Sequence, residues 1–134
     1  MHALGRHIHL ELFDCDVGIL NDLVKVKEGL VEAAHQAQAT IVDAIFHRFN
    51  PFGISGVVVI TESHLTIHTW PEYRYAAVDI FSCGDVIKPD VAASYLVKLF
   101  AAERVSVVEL QRGVFVQSAT SLLNRRETLR TSLE

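Results

Sequence analysis

The chain's 134 residues suit a single domain spanning 1–134 with a real core, and leave no room for a second. Half of them are apolar and 21% charged, with a net charge of −4 and the 12 Lys and Arg scattered, which excludes a disordered chain and offers nucleic acid no basic block to bind. No apolar run approaches the ~18 residues of a membrane span, and two cysteines, Cys15 and Cys83, cannot build a disulfide scaffold, so a reduced, cytoplasmic setting away from membranes is expected.

Leu4 to Phe13 alternates, with Ile8, Leu10 and Leu12 on one side and His7, His9 and Glu11 on the other, the pattern of a half-buried strand. Its charge and histidines also exclude a secretory leader over Met1 to Leu12. Asp14 and Asp16 are helix-cap residues, and Leu20, Leu23, Val24, Leu30, Val31 and Ala34 recur behind them at helical spacing. Gly29 weakens that helix by up to ~1 kcal/mol relative to alanine. Thr40 to Phe49 reads as a second strand, and Asn50-Pro51-Phe52-Gly53 as a turn.

Ser55 to Thr61 holds Val57-Val58-Val59-Ile60, apolar on both faces, and predicts a buried strand. Leu65 to Trp70 and Ala76 to Phe81 predict two more, the first ended by Pro71 and the second by Cys83-Gly84. Pro89 opens a helix whose buried stripe is Ala92, Tyr95, Leu96 and Leu99. Arg104 to Leu110 is the last clear strand, and from Ser118 a polar tail is compatible with a short helix carrying Leu122, Leu129 and Leu133.

The order β-α-β-β-β-β-α-β, with short links between strands, predicts an α+β fold: a two-layer sandwich of a mainly antiparallel sheet with two helices on one face. The other face lacks a helix although its strands carry apolar residues there. A second copy of the chain is the simplest cover, so a homodimer is expected.

Reactive side chains are densest in Thr61-Glu62-Ser63-His64-Leu65-Thr66-Ile67-His68, with Cys83 one strand later. Histidine and cysteine titrate close enough to neutrality to move protons, and serine becomes a nucleophile beside a base or in a strained backbone. Side chains two apart in a strand share a face, so His64, Thr66, His68 and Trp70 point one way and Ser63 has the opposite parity. Ser63 and His68 meet only if Ser63 lies in the turn or at a bulge, and a glycine-free turn there must be strained. His7 and His9 share a strand face, yet no acidic or cysteine partner is spaced to complete a metal site, so both read as surface histidines and no metal is expected. Cys15 reads as a small packed hydrophobe.

Several segments together carry a family resemblance. His47-Arg48-Phe49, Gly53 to Ile60, Glu62-Ser63-His64-Leu65-Thr66-Ile67-His68-Thr69-Trp70-Pro71-Glu72 and Asp79 to Gly84 strongly resemble S-adenosylmethionine decarboxylase of the short prokaryotic class. Leu4-Gly5-Arg6-His7 and Ala39 to Val42 also fit, and the likeness covers about the first 115 residues. Phe52 and Ile54 depart mildly from the family's usual turn.

The resemblance implies a proenzyme that cuts itself between Glu62 and Ser63 into a β chain, 1–62, and an α chain, 63–134. The Ser63 hydroxyl attacks the preceding carbonyl, with His68 as proton-transferring base and Ser55 assisting, and Ser63 ends as a pyruvoyl group. That ketone replaces pyridoxal phosphate as the electron sink for decarboxylation of S-adenosylmethionine, on the way to spermidine and other polyamines. Cys83 is the implied proton donor, while Phe49 and Trp70 offer flat surfaces to adenine and Glu72 faces ribose or the sulfonium. Two other readings stay open: a pyruvoyl enzyme acting on arginine or ornithine, and an uncleaved regulatory subunit.

Overall fold

A computed structural model describes residues 3–115. In it, six strands form one sheet in the order β2-β3-β4-β5-β1-β6. These are β1 (Ala3–Phe13), β2 (Ile41–Arg48), β3 (Ile54–Ile60), β4 (Ser63–Trp70), β5 (Tyr75–Cys83) and β6 (Arg104–Val114). Every neighbouring pair is antiparallel. The helices α2 (Leu23–Gln36) and α3 (Pro89–Leu99) cover one face, so the expected two-layer α+β sandwich is what the chain forms. The tail from Ser118, with its Leu122, Leu129 and Leu133, lies outside the described residues.

The first helical region differs from the sequence expectation. It divides into a short α1 (Val17–Leu20) capped by Asp16 and a long α2 capped by Asp22, whose carboxylate accepts the Lys25 N–H at 3.1 Å. Asp22 therefore restarts the helix, because its side chain satisfies a first-turn amide that otherwise has no partner. The buried face shifts accordingly to Val26, Leu30, Ala33 and Ala34, and Val24 is exposed. Gly29 has a packing reason: a Cβ there would stand 2.1 Å from Cδ2 of Leu99, so its absence lets α2 approach α3.

Between the layers lie Ile8, Leu10, Leu12, Val58, Ile60, Leu65, Ile67, Val78 and Ile80, all buried. Cys15 joins this core, and burial pushes its thiol pKa up to about 11. On the opposite face the cross-strand register aligns Val57, Thr66, Asp79, His9 and Val108 across five strands. No helix covers that face among the described residues, and Ile45, Trp70, Val108 and Leu110 are exposed on it. The run Val57 to Ile60 is thus buried on the helix side and half-buried on the open side.

Candidate active site

The site grows from the tight turn between β3 and β4. Only Thr61 and Glu62 separate the two strands, and Ile60 pairs with Ser63 across them. Closing so short a turn without glycine forces Ser63 to a φ of 144°, a region that side-chain-bearing residues avoid. The strain anticipated from the sequence is therefore present at Ser63 itself.

Hydrogen bonds tie this turn on both flanks. The Thr61 N–H donates to the Thr40 carbonyl at 2.9 Å, and the Thr40 N–H donates to Oε2 of Glu62 at 3.3 Å. The Cys83 N–H donates to the Glu62 carbonyl at 2.9 Å. Oγ of Ser63 stands 3.3 Å from Sγ of Cys83. Strand β1 completes this corner through Gly5, which pairs with Cys83; a Cβ there would meet Phe81 at 2.7 Å and the thiol at 3.2 Å.

His68 lies elsewhere. It is exposed on the open face and its Nδ1 lies 2.7 Å from Oγ of Ser55, its cross-strand partner. Five residue steps along β4 lead from it to Ser63, roughly 17 Å at ~3.4 Å each. Within one chain the structure brings Ser63 to Cys83 and Ser55 to His68, and keeps the two pairs at opposite ends of β4. Trp70, Phe49 and Glu72 belong to the His68 end. Trp70 is exposed and stacks on Tyr75 with ring centres 5.3 Å apart, Tyr75 stacks in turn on Phe13, and Phe49 is exposed against His47. Glu72 is exposed on the 3-10 turn Pro71–Tyr73. Neither aromatic packs into the core.

Beside Ser63 and Cys83 sits a cluster that sequence spacing did not reveal. Oδ2 of Asp79 accepts from Nε2 of His7 at 2.8 Å and from Nε2 of His64 at 2.9 Å, and Oδ1 accepts from the Thr66 hydroxyl. His7 is buried, which corrects its reading as a surface histidine, and the His9 ring lies tilted against it with ring centres 4.3 Å apart. Arg112 donates to Nδ1 of His7 at 3.0 Å and lies 5.2 Å from the Phe81 ring centre. Guanidinium has donors only, so Nδ1 of His7 is the acceptor and the proton of the neutral ring sits on Nε2, facing Asp79. Burial raises the Asp79 pKa, but hydrogen bonds from Thr66, His7 and His64, with the charge of His64, outweigh it and hold the carboxyl below its usual range.

His7, His64 and Asp79 offer ligand atoms within 4.8 Å of one another. In the tautomer that Arg112 imposes, however, His7 turns a proton rather than a lone pair toward them. The set is a hydrogen-bonded one. Its signal in the sequence was one charge, Asp79, in the otherwise apolar strand Ala76 to Phe81.

Comparison with known proteins gives the chain a family. Residues 6–113 match the sequence model of the S-adenosylmethionine decarboxylase family. A protein of Thermodesulfovibrio yellowstonii named S-adenosylmethionine decarboxylase proenzyme is 59% identical over 114 residues, covering 85% of this chain and 84% of its own. One of the same name from Thermosipho melanesiensis is 55% identical over 115 residues, 86% of this chain and 88% of its own. The crystal structure of the adenosylmethionine decarboxylase from Aquifex aeolicus superposes with a TM-score of 0.82 at 31% identity, covering 89% of this chain and 98% of that one. The chain belongs to the S-adenosylmethionine decarboxylase family.

Proposed function

We propose that the chain cuts itself between Glu62 and Ser63 and then decarboxylates S-adenosylmethionine, giving the aminopropyl donor used in spermidine and other polyamine synthesis. The observation that carries this reading is the serine turn: a strained Ser63 whose preceding carbonyl already accepts an N–H and whose hydroxyl lies against a thiol. Strain raises the energy of the amide to be attacked, and the Cys83 N–H is placed to hold the oxyanion that forms on the Glu62 carbonyl. The S-adenosylmethionine name of the relatives favours that substrate over arginine or ornithine.

Cleavage proceeds by attack of Oγ of Ser63 on the Glu62 carbonyl carbon. The hydroxyl proton passes through a base to the departing nitrogen, the C–N bond breaks, and the peptide becomes an ester beside a free Ser63 amine. Loss of the Ser63 α-proton then expels the Glu62 carboxylate and leaves dehydroalanine. Water adds to it and ammonia leaves, so the 63–134 chain begins with a pyruvoyl group.

The pyruvoyl carbonyl supplies the electron sink that decarboxylation of an amino acid needs and that no ordinary side chain offers. The Cys83 thiol stands beside this position, placed to donate a proton there. Trp70 and Phe49 present exposed rings suited to adenine, and Glu72 an exposed carboxylate suited to ribose or the sulfonium.

Among the described residues of one chain, His68 of β4 and its partner Ser55 of β3 do not reach the Ser63 turn. A homodimer resolves this. Two open faces packed about a two-fold axis place the Ser55–His68 end of one protomer against the Ser63–Cys83 end of its partner, and bury Ile45, Val108 and Leu110. Denaturing electrophoresis and intact mass test the reading: the expected products are chains 1–62 and 63–134, the second lighter than unmodified sequence because serine has become pyruvoyl. A chain that stays whole overturns it.

A further inference from the structure

We propose that Asp79 is a positioning residue for the self-cleavage: it grips His64, the residue that follows Ser63, and so holds Ser63 in its strained backbone. This rests on the reading that the chain cuts between Glu62 and Ser63.

A strained residue keeps its conformation only when its surroundings over-determine it. On the side before the cut, Thr40 and Cys83 hold Thr61 and Glu62 through the three hydrogen bonds already described. On the side after it, beyond the Ser63–Cys83 contact, the side-chain anchor is the bond from His64 to Asp79 at 2.9 Å. Asp79 is itself fixed. It sits between the buried Val78 and Ile80, pairs with Thr66 across β4 and β5, and accepts from the Thr66 hydroxyl and from His7 of β1. Arg112 of β6 closes the chain of donors by setting the His7 proton toward Asp79. Donors from β4 and β1 thus meet on one β5 carboxylate, with β6 behind His7, and the Oδ2 that takes His7 also takes His64, the residue after Ser63.

A carboxylate in the middle of an apolar strand is costly unless paired, and a purely structural staple needs no connection to His64. The diagonal contact from Asp79 to His64 is the link that carries its effect to the serine. The aspartate touches neither Oγ of Ser63 nor the Glu62 carbonyl, so it acts through His64 rather than on the reacting atoms.

The test follows the conversion of whole chain to fragments over time in the parent, Asp79→Asn, His64→Gln and the double variant. Each single change is expected to slow cleavage roughly tenfold or more, and the double to cut no more slowly than the slower single, because both break one link. Asp79→Asn cutting within twofold of the parent overturns the proposal. So does a double variant slowed by the product of the two single effects, as independent structural losses would be. Should Asp79→Asn fail to fold, His64→Gln alone decides, since a rate within twofold of the parent removes the link. A parent that itself stays whole overturns the cleavage reading; a parent that cuts, with variants that cut equally fast, overturns only the role of Asp79.

Discussion

The amide of Cys83 donates to the carbonyl oxygen of Glu62 at 2.9 Å, while the thiol of the same residue stands 3.3 Å from Oγ of Ser63. One residue therefore addresses both the attacking oxygen and the carbonyl group it attacks, through its side chain and its backbone separately. Cys83→Ala removes the thiol and leaves the N–H in place. Self-cleavage is expected to survive within a few-fold, and decarboxylation by the cut enzyme to fall by roughly 10²–10⁴, the usual worth of a positioned proton donor. Electrophoresis and carbon dioxide release measured on one preparation separate the two effects. Full-rate decarboxylation by Cys83→Ala would remove the thiol from the reaction.

The separation of Ser63 from His68 along β4 makes a prediction about pairs of chains. Ser63→Ala alone and His68→Ala alone are each expected to remain whole. Mixed during expression, they form some dimers in which an intact Ser63 faces an intact His68 across the interface. Those dimers should release chain 1–62 from the His68→Ala partner. Tagging the two chains differently identifies which is cut, and no fragment from the mixture would place the base within the same chain.

Gly5 sets the distance between β1 and the Cys83 corner. An alanine Cβ there would meet the Ser82 carbonyl oxygen at 2.9 Å as well as the Phe81 ring, and the backbone atom cannot move aside without widening the sheet. Gly5→Ala is expected to cost about 1–3 kcal/mol and to push the thiol away from Ser63. Gly29→Ala makes the matching control, since its clash is with the Leu99 side chain in the helix layer. At similar loss of stability by thermal unfolding, Gly5→Ala should lose most of its decarboxylation rate and Gly29→Ala should keep its own. Equal specific activity in the two would show that β1 does not position Cys83.

Much of this was legible from local pattern. Alternation alone put His64, Thr66, His68 and Trp70 on one face, and the parity of Ser63 against His68 required a strained turn, seen as a φ of 144°. Helix capping was read one step short: Asp14 and Asp16 were visible as caps, but Asp22 restarting the helix depends on where Leu20 is buried. Gly29 looked like a propensity cost because its reason, Leu99, lies seventy residues away. The Asp79 cluster stayed hidden for the same cause. It needs the register of β1, β4 and β5, and spacing along one strand cannot supply a ligand or partner from another.

That cluster also predicts an acid response. The folded-state pKa of Asp79 is depressed, so its ionised form stabilises the fold at pH values above the unfolded value of ~3.9, and that contribution is lost as pH falls through the lower folded value. The groups facing it are His7, His64 and the Thr66 hydroxyl, with Arg112 behind His7. In a Ser63→Ala background, where neither chain is cut, Asp79→Asn is expected to cost roughly 1–3 kcal/mol at neutral pH, the range for hydrogen bonds to a charged group. The gap in melting temperature should hold from pH 7 to about 5 and narrow below about 4, as first the unfolded chain and then, at lower pH, the folded carboxylate takes up the proton. A gap that stays constant down to pH 3 would mean that the charge of Asp79 contributes nothing and that its three donors bind it no better than an amide.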